Sequence, residues 1–115
     1  MNTKDLQVAQ TKYSRGEPRA WEVEINLDTS GNSDWVIIPE QISTISVTVS
    51  FEGGATGKIQ TTTDLVYIIR TQIPTPIDWP FGEVNNNRIE VCDAISGLRA
   101  VQRKDGKMKI TLRAQ

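Results

Sequence analysis

Residues 45–51 read Ile-Ser-Val-Thr-Val-Ser-Phe, an unbroken alternation of apolar and hydroxyl side chains. A period of two places Ile45, Val47, Val49 and Phe51 on one face of an extended strand and Ser46, Thr48 and Ser50 on the other. One face dry and one wettable is the pattern of a half-buried strand in an antiparallel sheet. The period returns near both ends of the chain. Trp21, Val23, Ile25 and Leu27 alternate with Glu22, Glu24 and Asn26, and Met108, Ile110 and Leu112 alternate with Lys109, Thr111 and Arg113.

Turn chemistry separates these runs. Asp28–Ser33, Gly53–Gly57 and Asn85–Asn87 are clusters of small polar and glycine residues. Lys58–Thr63 is expected to pair back on the 43–51 strand as a hairpin. The final hairpin is expected to join Leu98–Arg103 to Met108–Arg113 through Lys104-Asp105-Gly106, because Asp-Gly supplies the positive φ of tight turns. Trp35–Ile38, closed by Pro39, is a buried strand or one that crosses between sheets. Asp64–Arg70 fits either a buried strand or a short helical turn. The turn is favoured, with Asp64 as its cap and Leu65, Ile68 and Ile69 turned inward. Short strands with hardly any helix predict an all-β fold: an antiparallel β-sandwich or a jelly-roll-like barrel.

At 115 residues the chain is the size of one domain. Met1–Pro18 is polar and aperiodic and is expected to be an N-terminal arm, ordered where it docks; residues 19–115 form the single β domain. The arm lacks the apolar stretch of a signal peptide, and no run approaches a membrane span. The expectation is a soluble protein made in the cytoplasm, with no membrane partner. Thirteen basic and 14 acidic residues leave a net charge of -1, which argues against a nucleic-acid partner. The basic residues from Arg99 to Arg113 alternate with apolar ones and read as a solvated strand face. The one cysteine, Cys92, excludes an internal disulfide and reads as a small residue near the core.

The chain has no histidine, so the commonest general base and the commonest metal ligand are absent. Ser-His-Asp and Cys-His catalysis are excluded within one chain. Gly53-Gly54-Ala55-Thr56-Gly57-Lys58 imitates a phosphate-binding loop and fails it. Glu52 stands where the motif needs glycine, and Ile59 where it needs Ser or Thr. Glu22 and Glu24 read as an exposed strand face in place of a hydrolytic pair. Asp28, Asn32 and Asp34 read as turn residues in place of a calcium loop. No enzymatic activity, cofactor or metal is expected.

Gln72–Gly82 combines Pro74, Pro76 and Pro80 with Ile73, Ile77, Trp79 and Phe81. Prolines at this density resist helix and central strand, and the apolar content is too high for a solvated linker. The segment is an ordered loop. Three readings of its aromatics stand side by side: Trp79 plugging its own core, an anchor for a protein contact, or a stacking platform for sugar.

The second half resembles a group of small structural proteins of tailed bacteriophages. The likeness rests on a Thr-rich strand, Gln60-Thr61-Thr62-Thr63-Asp64, then Trp79-Pro80-Phe81-Gly82-Glu83-Val84. It continues through Ser96-Gly97-Leu98-Arg99-Ala100-Val101 to a closing strand, Lys109–Gln115. It spans roughly residues 45–115. The resemblance implies a virion component that lacks enzymatic residues, with a capsid decoration (cement) protein as the favoured reading. It also implies self-association, with a trimer favoured over a dimer, and the capsid protein as partner. Expected contact residues are Leu6, Val8 and Tyr13 on the arm and Ile77, Trp79 and Phe81 on the loop. The alternatives are a carbohydrate-binding module, which would use Trp79 or Trp35, and a tail or head–tail accessory protein.

Overall fold

The computed structural model describes residues 10–12 and 21–114. Leu6, Val8 and Tyr13 lie outside the described residues. Of the arm, Gln10–Lys12 (β1) is seen as a strand paired antiparallel with Glu22–Leu27 (β2).

Among the described residues, ten strands and one short helix follow one another as β1, β2, Gly31–Asn32 (β3), Val36–Ile37 (β4), Thr44–Glu52 (β5), Thr56–Thr62 (β6), Val66–Thr71 (α1), Ile77–Asp78 (β7), Arg88–Asp93 (β8), Gly97–Lys104 (β9) and Lys107–Ala114 (β10). They form two antiparallel sheets that face each other. One has the order β1-β2-β10-β5-β8. In the other the order is β3-β9-β6-β7, with β4 also on β9. This is the sandwich predicted by the alternating runs, jelly-roll-like in its winding, and the sheets do not join into a closed barrel among the described residues.

The period-two pattern sets the core. Val23, Ile25 and Leu27 stand opposite Leu112, Ile110 and Met108, which stand opposite Val47, Val49 and Phe51. All but Phe51 are buried, and Ile59, Leu98 and Ala100 close the core from the other sheet. Each such aliphatic side chain contributes roughly 1.5–3 kcal/mol relative to exposure. The opposite face carries Glu22 hydrogen-bonded to Arg113 at 3.0 Å and Glu24 beside Lys109 at 3.6 Å. These carboxylates are the solvated face expected of them.

Both expected hairpins are corners between sheets. β5 and β6 are joined by a tight turn, yet β5 pairs with β10 and β8, and β6 pairs with β9 and β7. Likewise β9 and β10 are joined at Asp105-Gly106 and lie in opposite sheets. The two corners stack, so the paired chain segments wind together as a double-stranded β-helix. A turn that reverses a ladder and one that switches sheets both call for positive φ. Gly53 (φ +68°), Gly54 (φ +81°) and Gly106 (φ +140°) supply it here. At Gly106 a Cβ would come within 2.5 Å of the Glu52 carbonyl oxygen, so the stacking itself requires glycine. Buried Gln102 braces the corner by donating from Nε2 to the Lys104 and Gly106 carbonyls, both at 2.9 Å.

Val36–Ile37 pairs with β9 in the second sheet, as β3 does before it, and the chain returns to the first sheet at β5. The helical turn is present, but its cap is not. No side chain caps α1, and Asp64 Oδ2 instead accepts from the Thr75 backbone N–H at 2.7 Å. Ile69 alone is buried, against Gly97 and Thr62, whereas Leu65 is 74% exposed.

Candidate interaction surface

The Pro-rich loop is anchored at its base by β7. Asp78 accepts hydrogen bonds from Gln60 Nε2 and Lys58 Nζ, each at 2.9 Å, and these donors hold its carboxyl below the usual carboxylate range. The next residue turns inward. Trp79 donates its backbone N–H to the Ile59 carbonyl at 3.0 Å and its Nε1–H to the Gly82 carbonyl at 2.5 Å, with Gly82 at φ +64° closing the turn. Its side chain is only 4% exposed and belongs to the core. Trp79 is therefore corrected from a contact residue to the plug of its own domain, one of the three readings the sequence left open. A buried indole with its N–H satisfied gains more from the core than from solvent.

Phe81 packs edge-on against Trp79, with ring centroids 5.2 Å apart and planes at 85°. The Arg88 guanidinium lies 4.4 Å from the Phe81 centroid and 5.7 Å from that of Trp79. Arg88 also donates from Nε and Nη2 to Glu90 Oε2 at 2.9 and 2.6 Å. Further along, Gly57 and Val84 exchange backbone hydrogen bonds at 2.9 and 2.7 Å. The loop is thus fixed by both sheets.

What this rigid frame leaves exposed is apolar. Seven large hydrophobic side chains are exposed among the described residues: Leu65, Tyr67, Ile73, Ile77, Phe81, Ile89 and Val91. The first five come from one continuous segment, Leu65–Phe81, comprising α1 and the loop. Ile77 and Phe81, expected from the sequence, are on this surface. Leu65, Tyr67 and Ile73 were not singled out as contacts. The signal for Ile73, which is 92% exposed, was its place among prolines that bar it from a sheet interior. Leu65 also lines a shallow groove of about 360 Å³ with Ile38, Ile42, Asp64 and Ile95.

The other two, Ile89 and Val91, sit on β8. Its pairing sets Arg88, Glu90 and Cys92 opposite core-facing Val49, Val47 and Ile45, and sets Ile89 and Val91 opposite Thr48 and Ser46 on the outer face. The strand is inverted: Arg88 and Glu90 face inward, with Arg88 against Phe81 and Trp79, and Ile89 and Val91 face solvent. Cys92 is half-buried, and burial, then the charges of Asp93 and Glu90, push its thiol pKa up.

Among the described residues no group of three or more His, Cys, Asp or Glu side chains is placed to hold a metal ion. Trp35, the other candidate sugar platform, has one ring face taken by Arg99 at 4.9 Å. No helix of the described residues is long and apolar enough to cross a membrane.

No family model and no curated protein sequence matches the chain. Solved structures do. The SPBc2 prophage-derived protein YomS matches with a TM-score of 0.54 at 8% identity, over 92% of this chain and 89% of its own. Drosophila melanogaster CENP-C, solved bound to CAL1, gives 0.52 at 4% identity over 95% and 74%. A cupin domain from Bordetella pertussis gives 0.48 at 10% identity over 95% and 93%. At such identities the likeness to YomS and CENP-C is one of fold alone.

Proposed function

We propose that this chain is a non-catalytic structural component of a tailed-phage particle, a capsid decoration protein that binds capsid subunits through the Leu65–Phe81 surface. It is made in the host cytoplasm and resides in the virion. The observation that carries the reading is the concentration of exposed apolar side chains on one segment whose C-terminal end is held by contacts of Asp78, Trp79 and Phe81. Rigid apolar groups bind at a low entropic cost, and contiguous exposed patches mark interaction sites. Many weak sites on one shell add up, because neighbouring copies hold one another at high effective concentration. The prophage origin of YomS supports the phage setting through fold alone.

A tail or head–tail accessory role would use the same surface at another place in the particle. The sugar-binding alternative has less behind it, since the Trp79 ring is buried and Arg99 covers one face of Trp35. The test is mass spectrometry of gradient-purified particles of the phage whose genome encodes the chain, with heads and tails separated. The chain is expected in the head fraction. Its recovery with tails would favour the accessory role, and its absence from particles, with abundance in the soluble lysate, would refute both.

A further inference from the structure

We propose that β8 pairs edge to edge with β8 of a second copy of this chain, antiparallel and centred on Ile89. The inference needs no capsid and concerns a different surface from Leu65–Phe81.

The sheet edges differ in length and polarity. A sheet edge carries unpaired backbone donors and acceptors that template association, and natural proteins keep such edges short or covered. Here β3, β4 and β7 have two residues each, and β1 has three. β8 has six residues, pairs with β5 alone, and carries Ile89 and Val91 at 69% and 55% exposure. It is the long, apolar edge of the described structure.

Charge then selects the occupant and the register. A two-fold axis through the sheet keeps inner side chains beside inner ones, so the centre must fall on a residue. Centred on Glu90, the pair would set Glu90 against Glu90. Centred on Val91, it would set Ile89 against Asp93. Centred on Ile89, it sets Arg88 against Glu90 twice and Ile89 against Ile89. Each copy already joins Arg88 to Glu90 within its own strand. The Ile89 register therefore closes an alternating ring of four charges, while like charges directly opposite are unfavourable. Inward charges normally blunt an edge; here they match those of an identical strand. A two-fold strand pair makes a dimer, in place of the trimer favoured from the sequence.

The test is light scattering of the purified full chain over a wide concentration range, with cross-linking in a Cys92→Ser background. The protein is expected to show a monomer–dimer equilibrium that Ile89→Lys weakens about tenfold or more, with thermal unfolding unchanged at dilutions where both proteins are monomeric, because Ile89 is solvent-exposed. Ile89→Cys, directly opposite its symmetry mate at a spacing close to disulfide geometry, should cross-link under mild oxidation faster than Val91→Cys, which faces Asn87. A chain monomeric at every concentration, a dimer or trimer untouched by Ile89→Lys, or faster cross-linking at position 91 would overturn the proposal. Particle binding by a monomeric chain would leave the decoration reading standing, so the two fail separately.

Discussion

Arg88 holds its guanidinium 4.4 Å above the ring of Phe81, reaching it from an edge strand of the opposite sheet. This contact closes one flank of the sandwich and ties the aromatic loop to β8. Arg88→Ala would remove the cation–π contact and leave Glu90 half-buried without its cation. The expected cost is about 1–3 kcal/mol in urea denaturation. Tryptophan fluorescence should shift to the red as water reaches Trp79. An unchanged midpoint and spectrum would mean that the loop holds without Arg88.

The stacked corners make a sharper prediction about glycine. Gly106→Ala meets both a positive φ and backbone atoms of Glu52, Gly53 and Ala55 within 2.9 Å, and should cost about 2–4 kcal/mol. Gly54→Ala has a positive φ with nothing within 4 Å and should cost about 1–2 kcal/mol. Equal losses in thermal or urea unfolding would contradict the close approach of the two corners.

Cys92 should react slowly. Its pKa is raised first by burial and then by the Asp93 and Glu90 charges, so less of it is thiolate at neutral pH than of a free cysteine. Alkylation near pH 8 should lag behind that of the urea-unfolded chain. The linked stability effect has a definite sign: the native state disfavours the thiolate, so stability falls as pH rises above the ordinary cysteine pKa. Cys92→Ser should flatten that alkaline slope. Equal labelling of folded and unfolded chain would show that Cys92 is not shielded.

Much of the sandwich is legible in the sequence. Ile45, Val47 and Val49 alternate in the chain and are all buried, and the β2 and β10 runs behave the same way. Strand partners are another matter. Period two reports which face is dry but not which strand lies alongside, so the Gly53–Gly57 and Asp105-Gly106 turns look like hairpins although each changes sheets. The outward face of Ile89 and Val91 is likewise unreadable locally. It depends on Arg88 finding Phe81 and Trp79, which only the fold brings near. Ile77 and Phe81 were recoverable from proline density and aromatic content. Leu65 was misplaced because Asp64 serves Thr75 and not the helix end.

Deleting Met1–Pro18 would remove β1 and expose the β2 edge, since Gln10–Lys12 pairs there. The described core residues lie beyond it, so the truncated chain should keep its far-ultraviolet spectrum and unfold cooperatively. It should bind particles more weakly if Leu6, Val8 and Tyr13 of the arm are contacts, as the sequence leads one to expect. Undiminished pelleting of the truncated chain would remove the arm from that contact.

The exposed residues of the Leu65–Phe81 segment are proposed to serve a particle contact and not the fold. The direct measurement is cosedimentation of the purified chain with undecorated capsids, comparing wild type with a Leu65→Ser, Ile73→Ser, Phe81→Ser variant. The two serine changes on the most exposed positions should leave stability within about 0.5 kcal/mol, with Phe81 adding the loss of its ring contact. Wild type is expected to pellet with capsids and the folded triple variant to stay in the supernatant. Equal pelleting of the two, or no pelleting of wild type, would contradict the particle contact.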